Sequence, residues 1–180
     1  NLMDLDNKVE RNISLLAEAK KKKISEINAC VLKRPRHESI IKELNRLNVN
    51  INFITDGDIA GALSVIGEKS KNDIYYSTGG GPEGVIVAAA LSCYGGQIQG
   101  RLVLNNEEKM RAKKLGIKNF DKKYNIEDMI KGDVIFCATG VTSGDLATGV
   151  KDLGNEYEVN TFVLHKSQNI IKSVTNIYNK

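Results

Sequence analysis

A strand, a glycine turn and a buried helix follow one another between Asp73 and Gly95, and this stretch constrains the chain more than any other. Ile74, Tyr75 and Tyr76 lead through Ser77 and Thr78 into Gly79-Gly80-Gly81. Pro82 then falls where the first turn of a helix tolerates a missing N–H, and Gly95-Gly96 supplies the stop. Consecutive glycines between a strand and a helix let a ligand or another segment approach the backbone closely.

The pattern occurs twice before it. Ile27 to Leu32 reads as a buried strand that stops in Lys33-Arg34-Pro35-Arg36-His37, and a helix follows through Ile40, Ile41, Leu44 and Leu47. Val49 to Thr55 reads as the next strand, Asp56-Gly57-Asp58 as its turn, and Ile59 to Ile66 as a short helix. Three successive strand-turn-helix units predict an α/β fold with a mostly parallel sheet flanked by helices. Ligands of such sheets bind beyond the carboxyl ends of the strands, where these three turns gather.

The flanking segments complete the expected architecture. A helix is predicted from about Asp6 to Lys23, with Val9, Ile13, Leu16 and Ala17 on one face, Asp4 or Asp6 as its cap, and Lys20 to Lys23 complementing its negative pole. After Gly96 come a strand from Gln97 to Leu104, a charged helix from Asn106 to Lys114, an irregular stretch from Ile117 to Tyr124, a helical turn or two from Ile126 to Ile130 and a buried strand from Val134 to Ala138. Tyr157 to His165 and Ile170 to Tyr178 alternate around Ser167-Gln168-Asn169, predicting an edge hairpin that makes the sheet mixed. No composition break divides the chain, so residues 1–180 read as a single α/β domain.

Composition narrows the function classes. At 180 residues and 41% hydrophobic, the chain can bury a substantial core, as one large domain or as a piece of something longer. The net charge of +4 is spread along the sequence, without the basic stripe and interleaved aromatics of a nucleic-acid binder, so no nucleic-acid partner is expected. Cys30, Cys93 and Cys137 are far apart and lie in apolar patterns, which predicts reduced core thiols in a cytoplasmic protein. No apolar run approaches the ~18 residues of a membrane span, and no signal-peptide pattern opens the chain. A soluble protein with no membrane partner is expected, and Asn1 in place of Met hints at a truncated start.

Four turns carry the candidate chemistry. Arg34, Pro35 and Arg36 stand between a strand end and a helix start, where cations oppose the positive pole of the helix unless an anion joins them. Guanidinium groups grip phosphate by paired, charge-assisted hydrogen bonds; the alternative is a solvated basic turn. His37 reads as a helix-entry residue rather than a base, having no acid or nucleophile near it in sequence. Asp58 suits a helix N-cap and Asp56 its own turn bond, while together the carboxylates can hold sugar hydroxyls or a cation. Gly79-x-Gly81-x-x-Gly84 fits a dinucleotide fingerprint, but Glu83 puts a carboxylate where the pyrophosphate should lie. Nicotinamide binding would return as a reading if the cofactor bound and Glu83→Gln strengthened it. Beside a phosphate site Glu83 makes better sense as a divalent-cation ligand, with the other ligands supplied from elsewhere. Asp145, in Thr139-Gly140-Val141-Thr142-Ser143-Gly144-Asp145, either lines the same sheet edge or has a structural role, which is favoured. Ser143 lacks the Gly-x-Ser-x-Gly context of a hydrolase nucleophile.

Taken together and in this order, Arg34-Pro35-Arg36-His37, Asp56-Gly57-Asp58, Gly79 to Gly84 and Ala138 to Asp145 make the chain resemble class II fructose-1,6-bisphosphatase, including its bifunctional sedoheptulose-1,7-bisphosphatase relatives. The resemblance covers nearly the whole chain, yet only the C-terminal half of the family's longer one. It implies the second α/β unit of the layered fold of lithium-sensitive sugar phosphatases. The N-terminal half, with most acidic metal ligands, has no counterpart here and is the expected partner, within a homo-oligomer. By the same resemblance, Arg34, Pro35, Arg36, Asp56, Gly57, Asp58 and Gly80 bind the sugar bisphosphate, and Glu83 binds the divalent metal, Mn2+ or Mg2+. Gly81 stands where many members have Thr or Ala. The implied activity is metal-dependent hydrolysis of the 1-phosphate of fructose 1,6-bisphosphate in gluconeogenesis, with little or none expected of the 180 residues alone. A non-catalytic phosphosugar-binding module, or a truncated fragment, is the alternative.

Overall fold

A computed structural model describes residues 2–67 and 70–180. Its elements fall into α/β order, with the parallel and antiparallel pairings in two separate sheets.

The parallel sheet has β1 (Asn28–Leu32) at its centre, flanked by β2 (Asn50–Ile54) and β3 (Ile74–Tyr76). Cys30 faces Asn52 on one side and Tyr75 on the other. Being central, β1 is covered on both faces, and Ala29, Cys30, Val31 and Leu32 are all buried. Helix α1 (Val9–Lys20) presents Ile13, Leu16 and Ala17 to one core, with Leu44 from α2 (Glu38–Arg46) and Val49. Asp73, at the entrance to β3, anchors the end of α1. Its side chain is only 4% exposed and takes Lys20 at 2.5 Å, Lys22 at 2.9 Å and the Asn28 N–H at 2.8 Å. Burial pushes this carboxyl's pKa up, but the two lysines and the amide outweigh it and hold it below the ordinary carboxylate value.

Helices α3 (Asp58–Leu63) and α4 (Gly81–Tyr94) build a second core. Ala62, Leu63, Val87, Ala90 and Leu91 meet Phe136 and Leu164 of the antiparallel sheet there. That sheet pairs β4 (Ile135–Thr139), β5 (Lys151–Asp152) and β7 (Ile170–Asn179) with β6 (Glu156–His165); the expected hairpin is β6–β7, but it joins a second, antiparallel sheet instead of making the parallel one mixed. Helices α5 (Asn106–Lys114) and α6 (Ile126–Met129) complete the order; Asn105 caps α5 through the Glu108 N–H at 2.9 Å.

Three local expectations are corrected. Asp4 and Asp6 do not cap α1, because the helix begins at Val9 with Lys8 as its cap and leaves both upstream; both carboxylates pair with Lys123, and Asp6 with Arg101 at 2.7 Å. The strand expected from Gln97 to Leu104 is an irregular segment, because its backbone pairs at a single bridge, Gly100 to Tyr124; its side chains tie it down, Gln99 accepting the Leu5 N–H and Arg101 donating to the Asp121 carbonyl. Cys30 is buried and Cys93 partly so, but Cys137 is exposed, because strand alternation turns its neighbours Phe136 and Ala138 inward. Among the described residues no helix is long and apolar enough to cross a membrane.

Candidate functional site

Parallel pairing brings the ends of β1, β2 and β3 side by side. The ladder continues one step past β1, where the Lys33 N–H donates to the Ile54 carbonyl at 2.8 Å. Arg34 stays extended and Pro35 opens a single 3₁₀ turn that ends at His37. Arg34 is half-buried, with its Nη1 donating to the Lys33 carbonyl at 3.1 Å. Arg36 is exposed and donates through Nε to the Thr78 carbonyl at 2.6 Å; its terminal nitrogens take no partner among the described residues. The arginine turn therefore leans on the entrance to the glycine turn with guanidinium donors to spare.

Beneath it lies His37, with no exposed surface. Its Nδ1 sits 2.6 Å from the Leu32 carbonyl oxygen, and its Nε2 accepts the Thr78 N–H at 2.8 Å. A carbonyl can only accept and an amide can only donate, so this geometry requires the neutral ring with its proton on Nδ1.

After β2, Asp56 Oδ1 accepts from the Gly57 N–H at 2.9 Å, the turn bond expected of it. Gly57 has φ +86°, a left-handed conformation that glycine adopts without strain. It is Gly57, not Asp58, that occupies the N-cap of α3. Asp58 lies one residue inside, and its Oδ1 accepts instead from the Tyr75 hydroxyl at 2.5 Å and the Ser77 hydroxyl at 2.7 Å. Burial first, and then the Asp58 carboxylate, push the Tyr75 pKa well above the usual phenol value.

The glycine turn is roofed by two carboxylates. A Cβ at Gly79 would lie 2.9 Å from Asp58 Oδ2, and one at Gly80 would overlap Glu83 Oε2, so neither position accepts a side chain without displacing an acid. Gly80 is the N-cap of α4 and Glu83 its third residue, folded back over the cap in the positive field of the helix N-terminus. Gly81 has open space around it, so the Thr or Ala associated with that position fits.

These contacts join Arg36, His37, Asp58, Gly80 and Glu83 around Ser77 to Gly80, while Arg34, Pro35, Asp56 and Gly57 stand on the adjoining turns. Asp145 lies apart, in an exposed pair with Lys71 at 2.9 Å, and its loop is tied internally by the Gly149 N–H donating to Ser143 Oγ. Sequence reasoning missed the parts of His37, Thr78, Tyr75 and Ser77. No spacing signal could have revealed His37, because both its partners are backbone groups. Among the described residues no three His, Cys, Asp or Glu side chains are grouped to hold a metal ion. Glu83 can supply one oxygen to a divalent cation, whose shell takes about six, but the described residues do not complete it.

The family model for bacterial fructose-1,6-bisphosphatase, glpX-encoded, matches residues 1–178. The fructose-1,6-bisphosphatase class 2 of Haemophilus influenzae is 32% identical over 192 residues, covering 98% of this chain and 57% of that protein. The D-fructose 1,6-bisphosphatase class 2/sedoheptulose 1,7-bisphosphatase of Synechococcus sp. (strain JA-3-3Ab) is 33% identical over 190 residues, covering 98% and 55%. The chain spans about half the length of these curated relatives.

Proposed function

The chain belongs to the bacterial, glpX-encoded fructose-1,6-bisphosphatase family, and from that premise we propose that it is the substrate-binding, C-terminal half of a metal-dependent phosphoric monoester hydrolase. The reaction is hydrolysis of the 1-phosphate of fructose 1,6-bisphosphate to fructose 6-phosphate and phosphate, in the cytoplasm and in gluconeogenesis. The observation that carries this reading is the meeting of the arginine turn and the Glu83 turn at Thr78, 42 residues along the chain from Arg36.

In this reading each residue has a part. Arg34 and Arg36 direct guanidinium donors at a phosphate, holding the substrate in one orientation. Asp56 and Asp58 accept sugar hydroxyls; Asp58 Oδ1 is already held by Tyr75 and Ser77, so its Oδ2 faces the glycine turn in a fixed position. Gly80 keeps the backbone bare where substrate approaches. Glu83 contributes one oxygen to a divalent metal, magnesium or manganese, which when bound supplies polarisation of the phosphoryl oxygen and a water of lowered pKa. The remaining ligands come from the other half of the relatives' length, and the complete protein assembles as a homo-oligomer.

A second reading, a phosphosugar-binding module or truncated fragment without catalysis, is favoured by the lack of a three-ligand group among the described residues. Assaying phosphate release from fructose 1,6-bisphosphate with Mn2+ or Mg2+ separates the two, using the 180 residues alone and the longer protein that contains them. Turnover by the longer protein and little by the shorter is the expected result. Turnover by neither leaves the binding module, and equal turnover by both defeats the account of ligands supplied from elsewhere.

A further inference from the structure

His37 is a completely buried polar side chain whose two ring nitrogens are both used, and both on backbone. One bond reaches the last residue of β1 and the other reaches Thr78, 41 residues further on, at the entrance to the glycine turn. Thr78 is thereby held twice from the same turn, at its amide by His37 and at its carbonyl by Arg36. Two residues beyond Thr78 is Gly80, over which the Glu83 carboxylate folds. We propose that His37 is a positioning residue: its imidazole clamps the arginine turn to the glycine turn, so that the phosphate-binding guanidinium groups and the Glu83 carboxylate address one substrate.

The geometry excludes the roles usually given to a histidine at such a site. The ring has no exposed edge to offer a substrate, and the Nε2 lone pair that a base would use is occupied by the Thr78 amide. A purely space-filling role leaves the directionality unexplained, since an apolar side chain would strand the Leu32 carbonyl and the Thr78 amide without these partners. His37 therefore acts through Thr78 on the relative placement of two turns that the chain does not otherwise join closely in sequence.

The inference rests on the reading of these turns as a sugar-bisphosphate site, and its test uses the longer protein. Two amide replacements separate the two bonds. In His37→Gln the longer side chain brings a carbonyl oxygen to the Nε2 position, where it accepts from Thr78. In His37→Asn the side chain ends near the Nδ1 position and can serve only Leu32. For fructose 1,6-bisphosphate we expect His37→Asn to raise KM about tenfold, the size of one lost hydrogen bond, with kcat within about threefold; His37→Gln stays within about threefold on both. Equal KM values for the parent and both variants, whatever their melting temperatures, overturn the clamp. So does an equal rise in both. Should His37→Asn fail to fold, ring nitrogen NMR of the parent decides: the His37 signals must show the Nδ1–H neutral ring and shift when substrate binds, and an unchanged signal at saturation overturns the proposal. A parent that does not hydrolyse the substrate defeats the functional reading itself, an outcome distinct from an active parent whose variants behave like it.

Discussion

β1, β2 and β3 run in one direction, so their carboxyl ends lie together; the turn after β1 meets the last at Thr78, and the turn after β2 meets it at Ser77. β6 and β7 run in opposite directions, and the four residues 166–169 close their connection on itself. The polar groups follow suit. Around the hairpin they satisfy one another locally: Asn160 bonds Ser173 and Thr175, and Asp133 takes both Ser167 and His165. Those hydrogen bonds, Ser167 first and His165 next, hold the Asp133 carboxyl well below the usual range. In the parallel region, by contrast, Arg36 and Glu83 reach the surface with capacity to spare. Antiparallel pairing uses its polar residues for its own ladder, whereas parallel pairing collects distant residues at one edge and leaves them available to a ligand.

Substitutions on each side test that division. Leu164→Ala, in the antiparallel sheet and with no exposed surface, should cost about 2–5 kcal/mol in chemical denaturation while leaving KM for fructose 1,6-bisphosphate unchanged in the longer protein. A parallel change in KM would show that the two regions are not separable. Glu83→Ala should reverse the pattern, lowering turnover by on the order of 100-fold with weaker metal binding and little change in stability. Arg36→Ala should give the smallest effect, a KM raised about tenfold with kcat nearly preserved, as expected for an interaction made equally in ground and transition states. If both site variants kept parental kinetics, the turns would be ordinary strand connections and the contrast would disappear.

Much of the parallel region can be read directly from the sequence, because β1 and β3 are short runs of β-favouring residues, β2 alternates Asn with apolar residues, and each turn is marked by Gly, Pro or Asp. The α5 helix was equally legible from its charged pattern and Gly116, and the hairpin from its alternation. What could not be read depends on partners remote in sequence. The two sheets share no ladder, and the apolar residues of α4 meet Phe136 and Leu164 of one sheet as well as α3. Asp58 looks like a helix cap until Tyr75 and Ser77 are placed beside it. Gln97 to Leu104 has strand composition but pairs only through the Gly100–Tyr124 bridge, and composition alone does not report which neighbour a segment meets.

The central place of β1 carries a consequence for how the molecule comes into being. β1 lies between two partners that both follow it in the chain, so its ladder on one side waits for residue 50 and on the other for residue 74. Closing such long loops is slower than zipping a hairpin with a four-residue connection. The β6–β7 hairpin should thus outpace β1 during refolding, with amide protection in pulse-labelled hydrogen exchange arising in β6 and β7 before β1. The site, lying where all three parallel strands end, is then among the latest parts to acquire its working shape.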